Sequence, residues 1–149
     1  MKVYNQNVPE LFLGRKKSDA PKVKISSPKD GADYFRQLWD EDTLEFCESC
    51  IVVYLNRANN TIGWYKVSQG GLASTIVDIK MILGGALKCG ASGLIIAHNH
   101  PSGNLKPSIG DDNLTSNLVQ ACKVMEICIL DHIILTNDGY FSYSEQGKL

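Results

Sequence analysis

Long apolar runs are missing from this 149-residue chain. None approaches the ~20 residues that a membrane-spanning helix needs, so an integral helical membrane protein is not expected. The opening residues, MKVYNQNVPELFLGRKK, also lack the apolar stretch of an export signal. Cysteine is sparse and odd in number, at five. A chain of this length can close a core without staples, so reduced thiols in a cytoplasm are expected rather than a disulfide framework. There is no internal repeat and no low-complexity stretch. What remains is ordinary: 44% hydrophobic and 21% charged residues, the balance of one soluble globular domain.

The small net charge of −1 conceals an asymmetry. Up to Lys29 there are seven basic side chains (Lys2, Arg15, Lys16, Lys17, Lys22, Lys24 and Lys29) against Glu10 and Asp19, a net of +5. The remainder carries 8 basic and 14 acidic groups, a net of −6. A basic arm over residues 1–21, ahead of a domain over 22–149, could touch nucleic acid or an acidic partner. The plainer reading of the arm is a solvated terminus.

Along the chain, Lys22 to Ser26 alternates as a short strand. Ser27-Pro28 opens a helix through Trp39, with proline where its missing N–H costs little, and Asp40-Glu41-Asp42 ends it. The run from Glu48 to Asn56 is β-branched and aromatic, and Arg57 to Asn60 reads as a hairpin turn into a second strand, Thr61 to Val67. Asp78 caps a helix to about Lys88, with Ile79, Ile82, Leu83 and Ala86 on one face. Gly93 to Ala97, GLIIA, is wholly apolar, as in strands buried on both faces. Ser108 to Glu126 is helical with Leu114, Leu118, Ala121, Cys122 and Met125 inward. Ile127 to Thr136 and Tyr140 to Tyr143 pair across the turn Asn137-Asp138-Gly139. Strands alternating with helices predict an α/β (α+β) domain, a mixed sheet flanked by helices.

The chemistry lies just beyond the buried strand, in His98-Asn99-His100-Pro101-Ser102-Gly103, followed by Pro107-Ser108 and Asp111. On an extended backbone residues i and i+2 face the same side, so His98 and His100 can aim two imidazoles at one point. A loop of two prolines and a glycine can fold Asp111 back toward them. Two imidazoles and a carboxylate suit zinc, and three protein ligands leave a fourth position open, as in catalytic sites. Taken singly, each piece has a duller reading. Ser108 with Asp111 has the spacing of a helix capping box, and Pro101-Ser102-Gly103 that of a plain turn.

The string His-x-His, seven residues, Ser, two residues, Asp resembles the metal motif of JAMM (MPN-plus) metallopeptidase domains. With Leu130-Asp131-His132-Ile133-Ile134 downstream, the sequence is most similar to the bacterial RadC branch, from about Ser26 to the C-terminus. The resemblance implies Zn2+ on His98, His100 and Asp111, and a glutamate at the start of an upstream strand. Glu48, ahead of Ser49-Cys50-Ile51-Val52-Val53-Tyr54-Leu55-Asn56, fits that place, with Cys50 where an aromatic is usual, and Glu45 is the runner-up. By the same resemblance Glu48 takes a proton from the zinc's water and Ser108 stabilises the oxyanion during amide hydrolysis. The substrate implied is a protein or peptide, in JAMM relatives a bond at a ubiquitin-like tail. RadC relatives often carry an N-terminal helix-hairpin-helix segment, which is not expected in a sequence of this length. On that expectation the family's association with DNA repair is weaker here, and the basic arm is the remaining hint of DNA contact.

Other signals are weaker. Cys47 and Cys50 form a Cys-x-x-Cys, but one pair cannot complete a four-cysteine zinc site, and i and i+3 on a strand face opposite ways. Cys89, Cys122 and Cys128 are expected as buried packing, and His132 as a core histidine or a support to the ligands. Trp39 and Trp64 read as core or rim aromatics. The alternative to a hydrolase is a binding module on the same fold, for protein or DNA, with little turnover. A nuclease reading of the letters His-Asn-His fails because such nucleases disperse those residues. A zinc deaminase fails because its Cys-x-x-Cys would follow the histidine, not precede it.

Overall fold

The computed structural model describes residues 16–70 and 76–149. The arm expected over residues 1–21 therefore lies largely outside the described residues. The elements, in chain order, are α1 (Pro28–Leu38), α2 (Glu41–Leu44), β1 (Ser49–Leu55), β2 (Thr61–Gln69), α3 (Ile79–Cys89), β3 (Gly93–Asn99), α4 (Ile109–Val124), β4 (Cys128–Leu135) and β5 (Tyr140–Ser142). The strands form one mixed sheet in the order β2-β1-β3-β4-β5. Only β3 and β4 run parallel, joined through α4; the other pairs are antiparallel. This is the mixed, helix-flanked sheet that the alternation of elements predicts.

Local chemistry explains the boundaries. Ser27 caps α1 by accepting from the Asp30 N–H, and Pro28 occupies the first turn. Asp78 caps α3 in the same way, and Gly90 ends it in the left-handed region, at φ 66°. Both helices press closely on the sheet. A Cβ added to Gly31 of α1 would lie 2.7 Å from the Ile95 side chain.

Two apolar layers sandwich the sheet. On one face Phe35 and Trp39 pack with Ile51, Val53, Ile95, Ala97, Ile133 and Leu135. On the other, Ile82, Ala86, Leu118 and Cys122 pack with Val52, Tyr54, Leu94 and Ile96. Arg36 of α1 donates to the carbonyls of Thr136 (2.9 Å) and Gly139 (2.8 Å), pinning the β4–β5 turn. Among the described residues no helix is long and apolar enough to cross a membrane.

Several expectations need correction. Lys22 to Ser26 forms no strand, only a single bridge between Lys24 and Asn60, and the ladder goes no further because the Val23 N–H donates to the Thr61 side chain rather than to a backbone carbonyl. The acidic run after α1 does not merely stop a helix: Asp40 caps the one-turn α2. Met125 is exposed, since α4 ends before it, and Cys128 is exposed at the first position of β4. Trp39 is buried, whereas Trp64, on the outer strand β2, is half exposed.

Candidate metal centre

Period-two alternation along β3 decides where each residue goes. Leu94 and Ile96 face the α3–α4 layer, so His98 faces it too, while Asn99 turns to the α1–α2 side. β3 outruns its apolar stretch because its ladder with β4 continues, His98 opposite Ile134 and Asn99 opposite Leu135. His100 follows directly, its backbone N–H bonded to the Leu135 carbonyl at 2.9 Å. Both imidazoles thus emerge at the carboxyl end of the two parallel strands, where α/β sheets commonly place ligands.

The intervening loop is held by its own polar atoms. The Gly103 N–H donates to the His100 carbonyl, with Gly103 at φ 80°. Ser108 then starts α4 in a reciprocal capping box: its Oγ accepts from the Asp111 N–H, and its own N–H donates to Asp111 Oδ2 at 2.7 Å. The duller reading of Ser-x-x-Asp is therefore correct, and it does not compete with the functional one. The box orients the Asp111 carboxylate, whose Oδ1 lies 3.1 Å from His98 Nε2 and Oδ2 3.3 Å from His100 Nε2.

Antiparallel pairing brings in the glutamate. Cys50 stands opposite His98, and continuing that register sets residue 48 across from residue 100. Ligand atoms of Glu48, His98, His100 and Asp111 all lie within 4.8 Å of one another. Glu45, at the end of α2, is exposed and outside this cluster. Cys47 and Cys50 are both buried free thiols, and burial pushes the Cys50 thiol up to about 12.

Electrostatically the cluster suits a cation. Burial pushes the Asp111 carboxyl up, but hydrogen bonds from His100 and His98 outweigh it and hold the group well below the usual carboxylate range. The hydrogen bond to Asp111 raises His100 against its burial. Burial raises Glu48, with the imidazoles of His98 and His100 pulling the other way. The Nδ1 of His100 can only donate to the Asn104 carbonyl, 2.6 Å away, so a neutral ring presents a lone pair at Nε2. That lone pair lies 2.9 Å from His98 Nε2 and faces the Asp111 carboxylate, a convergence of donor atoms that a proton or a metal ion would bridge. The donor set therefore fits a metal ion.

Two supporting residues carry no signal in the apolar pattern. Asn99 donates through Nδ2 to the carbonyls of Leu44 (2.7 Å) and Cys47 (2.9 Å) and accepts from the Ser49 N–H (2.7 Å), fastening the segment that carries Glu48. Thr115, one turn beyond Asp111, lies buried against His132. A buried amide between two histidines was a usable clue, since a buried polar side chain must find partners. His132, expected as a core histidine or a support to the ligands, is fully buried and bonded to His98, and its ring stacks on Tyr143 at 4.8 Å. Burial holds it well below the usual imidazole range.

Comparison with known proteins agrees with this architecture. The sequence model of the RadC-like JAB domain matches residues 25–148. A UPF0758 protein of Flavobacterium johnsoniae is 38% identical over 143 residues, 94% of this chain and 61% of that protein. One from Aquifex aeolicus is 36% identical over 135 residues, 91% of this chain and 57% of the relative. A third, from Clostridium perfringens, is 36% identical over 140 residues, 94% and 60%. The chain thus spans about three-fifths of the length of these relatives. With the sheet, the two-histidine strand end and the matched span in agreement, the chain belongs to the RadC-like JAB domain family.

Proposed function

We propose that this domain is a zinc-dependent hydrolase of amide or isopeptide bonds, with His98, His100 and Asp111 as the ligands. The observation that carries the reading is the convergence of four donor atoms, from these three residues and Glu48, within 4.8 Å of one another. Three such ligands leave room for water or substrate. Bound there, zinc supplies a Lewis acid and makes water acidic enough to be deprotonated near neutral pH.

The chain's own residues do the rest. Glu48 is half buried and burial raises its carboxyl, which strengthens it as a base. It accepts a proton from the attacking water and returns it to the departing amine nitrogen. Ser108 Oγ accepts from the Asp111 N–H; that bond uses a lone pair, so the hydroxyl proton is left to donate to the substrate carbonyl oxygen as charge develops there. The same capping box fixes the Asp111 carboxylate, and the Asn104 carbonyl fixes the ring of His100. The proposed substrate is a protein or peptide, with a ubiquitin-like tail as the first class to try. The proposed setting is the cytoplasm, and DNA contact through the basic arm is a separate proposal.

Glu48→Gln tests the reading. Wild-type protein should hold about one zinc per chain and cleave amide-linked peptide or ubiquitin-like substrates. Glu48→Gln should keep the zinc and lose at least ~100-fold in rate. Turnover untouched by that change, or a wild type that takes up no metal, overturns the proposal.

A further inference from the structure

Behind His98 runs a chain of hydrogen bonds that leads back to another of the clustered residues. His98 Nδ1 lies 2.8 Å from His132 Nε2, and His132 Nδ1 lies 2.6 Å from Thr115 Oγ1. The Thr115 hydroxyl donates in turn to the Asp111 backbone carbonyl at 2.7 Å. Every side chain in this chain is buried, so water cannot supply a missing partner.

A carbonyl can only accept, so with the Thr115 proton on Asp111, along the 2.7 Å contact, the Thr115 oxygen accepts from His132 Nδ1. A neutral His132 with its proton on Nδ1 has a lone pair at Nε2, and His98 must donate to it from Nδ1. His98 Nε2 is then a lone pair facing His100 and Asp111. The reversed arrangement would put a proton on His98 Nε2, toward Asp111 Oδ1 at 3.1 Å. It would also turn the Thr115 proton away from its carbonyl and place a hydrogen where an ion must sit.

We propose that Thr115 and His132 are positioning residues that hold His98 with its proton on Nδ1 and its Nε2 lone pair directed at the metal. Asp111 then serves twice, by its carboxylate as a ligand and by its carbonyl as the anchor that sets the tautomer of a second ligand. The parallel stack of Tyr143 on His132, 5° from coplanar, and the bond from the Tyr143 hydroxyl to Asp112 Oδ1 at 2.8 Å keep the His132 ring from turning. This inference rests on the metal reading above, because a lone pair at that atom matters only to a cation.

Thr115→Val and Thr115→Ser separate the chain from mere packing. Valine copies the shape of threonine but leaves the His132 Nδ1–H without an acceptor; serine keeps the hydroxyl and loses the methyl. Zinc affinity, measured by competition with a chromogenic chelator, should fall about 10–100-fold in Thr115→Val and recover in Thr115→Ser. Nitrogen-15 spectra of metal-free wild type, at a pH where the imidazoles are neutral, should show His98 and His132 both protonated on Nδ1. Thr115→Val should show a mixture of tautomers. Undiminished affinity in Thr115→Val, equal loss in Thr115→Ser, or a wild-type His98 protonated on Nε2 would each overturn the proposal. A wild type that binds no zinc would instead sink the metal reading, while the spectra still decide the hydrogen-bond chain.

Discussion

The two faces of β3 begin alike and end differently. On the α1 side Ile95 and Ala97 join a layer with Phe35, Ile51 and Ile133, and the face closes with Asn99, whose amide binds only backbone. On the α3–α4 side Leu94 and Ile96 join Ile82 and Leu118, and the face then turns to His98, with His132 and Thr115 behind it. The strand is one and the period is one. What differs is the neighbour: α4 presents the start of a helix, where Ser108 and Asp111 supply polar atoms, whereas α1 presents Phe35 and Ala32. Both faces carry an apolar layer, but beyond it the first ends in an amide that fastens backbone and the second in the histidine cluster.

The largest expected effect removes a proposed ligand from the second face. His98→Ala should lower zinc from about one per chain to none, because three ligands contain no spare. The fold should survive, since the ring contributes no apolar layer. Metal analysis beside a circular dichroism spectrum checks both halves. Zinc retained in folded His98→Ala would dissolve the contrast between the faces.

Next comes the opposite experiment, on the first face. Phe35 is fully buried between α1 and the sheet. Phe35→Ala should cost about 3–5 kcal/mol of stability through lost burial and a cavity. The fraction that stays folded should still bind zinc with wild-type stoichiometry, as a denaturant titration and metal analysis on one preparation would show. Loss of zinc from the folded fraction would mean that the two faces are coupled.

Much of this was legible from the residues. Ser27-Pro28, Asp78 and Gly90 mark helix ends by capping chemistry, which is local. The GLIIA run marks a strand buried on both faces, and His-x-His at its exit marks the convergence of two rings. What was hidden depends on partners distant in sequence. β3 continues through His98 and Asn99 because β4 offers hydrogen bonds there, although the apolar signal stops at Ala97. Glu48 is preferred to Glu45 by the resemblance alone until the pairing of Cys50 with His98 carries residue 48 to the cluster. Cys128 looked apolar and buried, yet it opens β4 at the sheet's rim. Thr115 could not be singled out on an amphipathic helix, where a buried threonine is commonly satisfied by its own preceding turn.

The smallest effect gives the sharpest comparison, because it changes the residue beside His98. Asn99→Ala leaves the Ser49 N–H and the carbonyls of Leu44 and Cys47 without their side-chain partner. One orphaned buried donor costs about 1–3 kcal/mol, so a loss of about 2 kcal/mol is expected. The segment from Leu44 to Ser49 carries Glu48, while none of the three bonds touches His98, His100 or Asp111. Zinc content should therefore stay at the wild-type value while turnover falls, because the proposed base is displaced and the proposed ligands are not. A chelator competition and a rate measured on the same sample distinguish this from His98→Ala, where metal and turnover vanish together. If Asn99→Ala released zinc as His98→Ala does, the strand end would behave as one unit, and the alternation that assigns one residue to anchoring and its neighbour to the metal would have no functional meaning.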